Sequence, residues 1–343
     1  MMSRNAAVGR VGASLLTISM GAAAAGQPPL LLEHRFDLPV TIQGHFDHFE
    51  VDPAGQRLFG TAVDAHQLVV INLETGQLIR SIPVDTPRAV VYREDLGRLY
   101  VTDGAGALRI YDSKSYALVK SLKIEVDADP IAYDPANGHV FAVNGGDKAG
   151  HKYSHITVFD SVAERQIANI KVAGDEVEGM TVEANGPRLF ANARALNQIA
   201  VIDRETFKPM AIWPIKGAKQ NTVAALDEQT RRLFVACHEG HLLVLDSDGG
   251  KQVRVLPIGQ EADYIAFEPS SRKIFVSGGG GHGWVDVIQE EDGDHYHRLG
   301  EVTTEPGAAT SHLVSALGKY IVMAPSAGNR PARVLVYKIA SEQ

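Results

Sequence analysis

The sequence predicts an all-β fold, a seven-bladed β-propeller in which the N-terminal strand completes the last blade. Two observations support this prediction. A short segment that ends in an aromatic residue recurs along the chain, and each recurrence holds four short β-type runs separated by turn residues. Four strands in every repeat of about 40 to 50 residues, with no helical periodicity between them, are typical of propeller blades.

The recurring segment consists of a basic residue, an aliphatic residue and then Phe or Tyr. Its six complete copies are Arg57-Leu58-Phe59, Arg98-Leu99-Tyr100, His139-Val140-Phe141, Arg188-Leu189-Phe190, Arg232-Leu233-Phe234 and Lys273-Ile274-Phe275. A seventh copy, Lys319-Tyr320-Ile321, lacks the aromatic residue at its last place. The intervals from Phe59 to Ile321 are 41, 41, 49, 44, 41 and 46 residues. Seven copies predict seven blades.

Turn residues separate the strands within each repeat. Asp52-Pro53-Ala54-Gly55 and Asp134-Pro135-Ala136-Asn137-Gly138 predict hairpin turns, because Asp accepts hydrogen bonds from the following backbone, Pro presets φ and Gly accepts a positive φ. Asn72-Leu73-Glu74-Thr75-Gly76 predicts a similar turn between the third and fourth strands.

The ends of the chain predict how the ring closes. The fourth strand of a repeat tends to end in a Pro flanked by aliphatic residues, as in Ile82-Pro83-Val84, and the seventh repeat stops before such a strand. An unassigned copy lies near the N-terminus, where residues 34–37 lead into Leu38-Pro39-Val40. The predicted organisation is one propeller over residues 26–343, with repeats at about 44–84, 86–124, 128–172, 176–215, 219–258, 261–302 and 308–343, the last completed by 31–40.

The first 25 residues predict an exported protein, and the composition of the whole chain predicts a globular one. Of 343 residues, 22% are charged and 45% hydrophobic, which is ordinary globular composition. Residues 1–25 have a basic start, an apolar stretch and Ala23-Ala24-Ala25, the pattern of a secretory signal peptide. No later stretch is long and apolar enough to predict a membrane span. We therefore expect a periplasmic or secreted protein.

The charge balance argues against nucleic acid as a partner. Without residues 1–25 the chain has 31 basic and 41 acidic residues, whereas phosphate backbones attract basic faces. Cys237 is the one cysteine, so no intramolecular disulfide is expected and stability must come from the core.

The repeats also resemble a known family. Leu99-Tyr100-Val101-Thr102-Asp103, preceded by Thr86-Pro87-Arg88-Ala89-Val90-Val91, resembles the YVTN-type β-propeller repeat, and the resemblance covers residues 31–343. Phe replaces Tyr in most repeats, and Asn144 and Asn192 only partly recover the final Asn of that pattern. The resemblance implies a secreted or periplasmic propeller and assigns no catalytic residue.

One position per repeat is expected at the mouth of the central channel. It falls just before or at the start of the innermost strand and reads Asp47, Arg88, Asp129, Glu178, Thr222, Asp263 and Ser311. Four carboxylates and one guanidinium around one axis would focus a negative field. With His48 and His312, the charged members predict a site for a metal ion or for a cationic or polyhydroxylated ligand. The alternative is a water-filled channel with a charged lining.

A metal site is a further hypothesis. Residues 237–241, Cys-His-Glu-Gly-His, form the densest group of potential ligands, and imidazole and thiolate suit zinc or copper. The hypothesis assigns a divalent metal ion to His238, His241 and Glu178. The alternative is an ordinary polar loop around a buried cysteine.

Two classes of function are consistent with these features, and the sequence does not decide whether the protein is an enzyme. The first is a binding or scaffold module that takes a small ligand or a periplasmic protein partner at the channel mouth. The second is a metal-assisted hydrolase or lactonase, in which Glu178, Asn144, Asn192 and Asp263 would hold a divalent ion that activates water or polarises a carbonyl. No other cofactor is predicted.

Overall fold

The computed structural model describes residues 27–340, and the predicted signal peptide lies outside this range. Residues 27–340 form seven antiparallel four-stranded sheets, arranged as a seven-bladed β-propeller. This confirms the predicted fold class. Within blades 1 to 6 the four strands are neighbours in both sequence and space, with the first strand of each at the channel.

The first four blades follow the N-terminal strand β1 (Leu30–Asp37). Blade 1 contains β2 (Glu50–Asp52), β3 (Arg57–Ala62), β4 (Gln67–Asn72) and β5 (Leu78–Pro83). Blade 2 contains β6 (Pro87–Arg93), β7 (Arg98–Asp103), β8 (Ala107–Asp112) and β9 (Leu118–Lys123). Blade 3 contains β10 (Ile131–Asp134), β11 (His139–Gly145), β12 (Tyr153–Asp160) and β13 (Arg165–Ala173). Blade 4 contains β14 (Val177–Val182), β15 (Arg188–Ala193), β16 (Gln198–Asp203) and β17 (Pro209–Pro214).

The remaining blades complete the ring. Blade 5 contains β18 (Asn221–Asp227), β19 (Arg232–Cys237), β20 (His241–Asp246) and β21 (Gln252–Pro257). Blade 6 contains β22 (Ala262–Glu268), β23 (Lys273–Gly278), β24 (Trp284–Asp292) and β25 (His295–Thr303). Blade 7 contains β26 (Ser311–Val314), β27 (Lys319–Ala324), β28 (Arg333–Ile339) and β1. Short 3-10 helices lie at Asp147–Ala149, Arg194–Leu196 and Ser315–Leu317.

The N-terminal strand closes the ring as predicted. β1 pairs antiparallel with β28, so that Leu31 lies opposite Lys338 and Asp37 opposite Arg333. The strand ends at Asp37, earlier than the predicted segment of residues 31–40. Leu38 still donates its N–H to the carbonyl of Ala332 at 2.8 Å, but Pro39 has no N–H and its carbonyl accepts a turn hydrogen bond from Ile42 at 2.9 Å.

The predicted turns have the expected chemistry. Asp52 accepts a hydrogen bond from the N–H of Gly55 at 2.9 Å, which closes the turn between β2 and β3. Asn72 accepts from the N–H groups of Glu74 and Thr75 at 2.9 and 2.8 Å between β4 and β5, and Gly76 takes a φ of 71°. Side-chain acceptors satisfy turn N–H groups that strand pairing leaves free.

Each blade packs on the next through the repeated aromatic residue. The side chains at this place are fully buried and contact the strands of the following blade: Phe59, Tyr100, Phe141, Phe190, Phe234 and Phe275. In blade 7 this place belongs to Ile321, which packs on Leu58 of blade 1. Ile321 is smaller than an aromatic residue, and Met323 fills the same interface by packing against Gly60, where a Cβ would lie 2.9 Å from its sulfur. The described residues thus form seven blade-to-blade cores.

No helix among residues 27–340 is long and apolar enough to cross a membrane.

Removing the closing strand tests the ring directly. Deleting residues 30–37 leaves β28 with an unpaired edge and removes Leu30 from the core between blades 6 and 7. We expect aggregation, or a fall in melting temperature on the order of 10 °C, measured by circular dichroism. Alanine at the exposed positions Glu33 and His34 is the control and should change the melting temperature little. A deletion variant that melts like the wild type would contradict closure by this strand.

Candidate functional site

Irregularities in the innermost strands place charged side chains at one end of the channel. β6, β14 and β22 each contain a β-bulge near their first residue, and the unpaired residues there include Arg88, Glu178 and Asp263. Asp47 and Asp129 lie just before β2 and β10, in the same place relative to their blades. A bulge inserts a residue that has no partner in the ladder and redirects its side chain.

These residues line one cavity of about 630 Å³, here called the mouth cavity. Eight carboxylates and two basic side chains belong to its lining. The carboxylates are Asp47, Asp127, Asp129, Asp147, Asp175, Glu176, Glu178 and Asp263, and the basic residues are Arg88 and Lys148. His48 also lines it. The structure therefore brings together Asp47, His48, Arg88, Asp129, Glu178 and Asp263, which the sequence assigned to one site.

The four carboxylates at the repeat position, Asp47, Asp129, Glu178 and Asp263, are here called the ring carboxylates. Arg88 contacts two of them. Its guanidinium donates to Asp47 Oδ2 through Nη1 at 2.9 Å, and Nη2 lies 3.3 Å from Asp129 Oδ2. His48 lies beside the same pair, with Nε2 3.7 Å from Asp47 Oδ1. One guanidinium therefore pairs with two carboxylates, and its single positive charge offsets their mutual repulsion only in part.

Burial, with repulsion between carboxylates, raises the pKa of Asp47, Asp129 and Glu178. Burial, followed by the charge of Asp47, raises the pKa of Asp129 to about 7 despite Arg88. Burial, followed by the charge of Asp129, raises the pKa of Glu178 to about 8. Burial also raises the pKa of Asp47, and Asp263 adds to this effect. Burial works against the charged form of His48, but Asp47 and Asp263 outweigh it and raise the pKa of that imidazole.

A second guanidinium, that of Arg194, contacts another ring carboxylate, Glu178. Arg194, in the 3-10 helix after β15, places Nη1 3.3 Å from both Glu176 Oε1 and Glu178 Oε1. Its Nη2 donates to His238 Nδ1 at 3.3 Å. Asp263 differs from its neighbours, because its carboxylate makes no hydrogen bond or ion pair with any residue between 27 and 340.

Two residues of the predicted repeat position, Thr222 and Ser311, and the separately predicted His312 do not line the mouth cavity. Thr222 is buried and its hydroxyl donates to the carbonyl of Gln220 at 3.0 Å. Ser311 forms hydrogen bonds with Ser277 of blade 6 and Tyr320 of blade 7, and it lines the apolar cavity deeper in the channel. His312, predicted as a ligand-binding residue, instead places Nε2 3.1 Å from Glu50 Oε1. Blade 7 contributes Gly307 and Ala309, which precede β26, to the lining of the mouth cavity.

The predicted metal set of His238, His241 and Glu178 is not assembled. The Arg194 guanidinium contacts both Glu178 and His238, and His241 Nδ1 lies 3.4 Å from Glu239 Oε1 instead. No group of three or more His, Cys, Asp or Glu side chains within residues 27–340 is placed to hold a metal ion.

Cys237 is equally unsuited to ligate a metal. It is fully buried in the core between blades 4 and 5, and burial raises the pKa of its thiol to about 12. Thiolate is the form that binds metals, so this cysteine is a core residue. Burial and Arg194 lower the pKa of His238.

The oxygen ligands required by the hydrolase alternative are also separated. Asn144 is buried within blade 3, where it donates to the carbonyl of Ala142 and the hydroxyl of Thr157 at 3.0 and 2.9 Å. Asn192 is buried within blade 4 and bonds Asn221 at 3.1 Å. Neither side chain belongs to the mouth cavity lining, which includes Glu178 and Asp263.

Several mouth residues cannot be found by comparing repeats. Asp127, Asp175 and Glu176 come from the links between blades, and Lys148 from the longer loop between β11 and β12. Lys148 Nζ lies 2.6 Å from Asp127 Oδ1, so the loop is held at the rim. The acid-rich links at residues 125–129 and 175–178 could have predicted these mouth residues from the sequence, because links between blades enter the ring on the face where the mouth lies.

Comparison with known proteins bears on the fold but not on the site. No family model matches the chain, so membership of the YVTN repeat family stays a prediction. No curated protein matches either. Among solved structures, a chain in "Crystal Structure of Mitotic Checkpoint Complex" is similar over 99% of this chain and 100% of that chain, with 13% sequence identity and a TM-score of 0.76. This similarity shows the fold alone.

The raised carboxyl pKa values predict that stability falls as pH rises. The folded state holds protons on Asp129 and Glu178 between about pH 4 and about pH 8, where the unfolded chain has released them. Stability is therefore lost as pH rises through the folded pKa values. The double variant Asp129→Asn, Glu178→Gln lacks both groups and should exceed the wild type by on the order of 1–3 kcal/mol at about pH 8.

The measurement is urea unfolding of both proteins across this pH range. Glu74→Gln with Glu205→Gln, in exposed turns on the outer hairpins, is the charge-matched control and should follow the wild type. A double variant that is less stable than the wild type at every pH would show that the carboxylates are structural.

Proposed function

We propose that this protein is a binding module that takes a cationic ligand at the mouth of its channel. The observation behind the proposal is the mouth cavity, where eight carboxylates face two basic residues and Asp263 has no hydrogen-bond or ion-pair partner among the described residues. A cavity of about 630 Å³ falls within the usual size of small-molecule sites, about 300–1,000 Å³. The ligand is a small molecule or a basic group of a protein partner.

The cost of the carboxylate ring supports binding rather than a purely structural role. Buried like charges destabilise a fold unless protons or cations neutralise them, and Arg88 and Arg194 do this only in part. A ring of carboxylates at a solvent-filled mouth therefore adds no stability. Destabilised groups of this kind are typical of functional sites.

We also propose that the protein is exported. The support is the signal-like segment of residues 1–25 in the sequence. An exported binding module would meet its ligand or partner protein in the periplasm or outside the cell.

Cation binding should raise the melting temperature of the wild type. The cations to use are methylammonium, calcium and zinc, each added separately at about pH 8, which lies above the pKa of Asp129 and near that of Glu178. At least one should stabilise the wild type by about 2.7 kcal/mol when present at about 100 times its Kd. The Asp129→Asn, Glu178→Gln variant should gain clearly less, because the cation loses its counter-charges.

The Glu74→Gln, Glu205→Gln control should gain as much as the wild type. The proposal fails if no cation stabilises the wild type, or if the double variant and the wild type gain equally.

A further inference from the structure

The channel changes character below the mouth cavity. A second cavity of about 400 Å³ is lined mainly by apolar and aromatic side chains of the innermost strands, and we call it the apolar tier. Its lining includes Phe49, Tyr133, Met180, Val223 and Tyr264. Burial raises the pKa of Tyr264, whose hydroxyl accepts the N–H of Leu313 at 2.9 Å, so that Tyr264 contributes its neutral form.

The two cavities adjoin each other. His48, Pro130 and Glu178 line both of them, so the mouth and the apolar tier are neighbours along the channel. The bulge in β22 links them as well, because Asp263 lines the mouth and the next residue, Tyr264, lines the tier. A carboxylate is thus followed, along one strand, by an aromatic surface.

The ion pairs within the mouth cavity indicate where a cationic group would bind. Arg88 pairs with Asp47 and Asp129, and Arg194 pairs with Glu176 and Glu178. Asp263 is the ring carboxylate without such a partner among residues 27–340. A positively charged group therefore gains most beside Asp263, at the upper end of Tyr264.

The same arrangement disfavours a bare metal ion. Metal ions require several converging ligands, and within the described range no three His, Cys, Asp or Glu side chains converge in this way. The guanidinium groups of Arg88 and Arg194 also repel a divalent charge. An ammonium group needs only one carboxylate and a few acceptors, and apolar surface next to it stabilises an attached hydrocarbon.

We propose that the ligand is an organic ammonium ion with an apolar body: the ammonium group pairs with Asp263 in the mouth cavity, and the body occupies the apolar tier. This inference rests on the proposed function, since it specifies the chemical class of the cation. The binding free energy has two parts, an ion pair at the mouth and burial of hydrocarbon below it.

A homologous series of amines separates these two parts. Isothermal titration calorimetry of the full chain with methylammonium, butylammonium and hexylammonium should show affinity rising about threefold to fourfold with each added methylene. Hexan-1-ol and hexanoate have the same body without the positive charge, and each should bind at least about tenfold weaker than hexylammonium. Calcium and zinc chlorides are included as bare cations.

Two kinds of variant test which residues form the ion pair with the ammonium group and which contact the hydrocarbon body. Asp263→Asn should weaken every ammonium ion about tenfold or more and leave hexan-1-ol unchanged. Ala132→Phe places a ring in the apolar tier and should bring hexylammonium down to the affinity of methylammonium. Ala224→Leu fills the tier from a different strand, in case the first variant does not fold. Glu74→Gln is the remote control and should bind as the wild type does.

Each remaining outcome decides against part of the proposal. If calcium or zinc binds and the ammonium ions do not, cation binding at the mouth stands but the inferred ligand class is wrong. If no cation binds, the proposed function and the inference both fail. If affinity does not depend on chain length, or if Asp263→Asn binds hexylammonium as the wild type does, the assignment of the two cavities is overturned.

Discussion

Closure of the ring is the constraint on which the rest of this structure depends. Each blade buries one large side chain, such as Phe59, Phe190 or Ile321, against the next blade, and the pairing of β1 with β28 joins the last blade to the chain's start. Seven first strands must then meet around one axis. The backbones that carry the mouth carboxylates are therefore held near one another, because moving the blades apart would open the seven blade-to-blade cores.

The repulsion between the mouth carboxylates can be reduced in two ways, by bound protons or by a bound cation, and both bear on function. Protons do so in the protein alone, since burial, followed by the charge of a neighbouring carboxylate, raises the pKa values of Asp129 and Glu178. A bound cation would relieve it in the same way and would displace those protons. Arg88 and Arg194 form ion pairs with ring carboxylates without neutralising all of them. Asp263 has no ion-pair partner within the described chain. The fold itself is shared with a solved structure at 13% identity, so functional arguments must come from these residues.

Much of the fold could be predicted from the sequence, since repetition shows which residues face the neighbouring blade and the missing fourth strand shows how the ring closes. The site was less predictable. Repeat position grouped Asp47, Arg88 and Asp263, which line one cavity, but it could not show that His312 lies against Glu50, nor that Arg194 reaches both Glu178 and His238. Those details depend on local backbone geometry and on contacts between blades, which a single repeat pattern does not encode.

Ring closure should keep protons on Asp129 and Glu178 until a cation replaces them. Infrared difference spectroscopy of the neutral carboxylic acid band tests this directly, with spectra recorded between about pH 5 and about pH 9 and with the Asp129→Asn, Glu178→Gln variant as reference. We expect a band in the wild type that titrates near pH 7 to 8, is absent from the variant and shrinks when an ammonium ion is added. Carboxyl groups that are all ionised by about pH 5, with no difference between the two proteins, would contradict it.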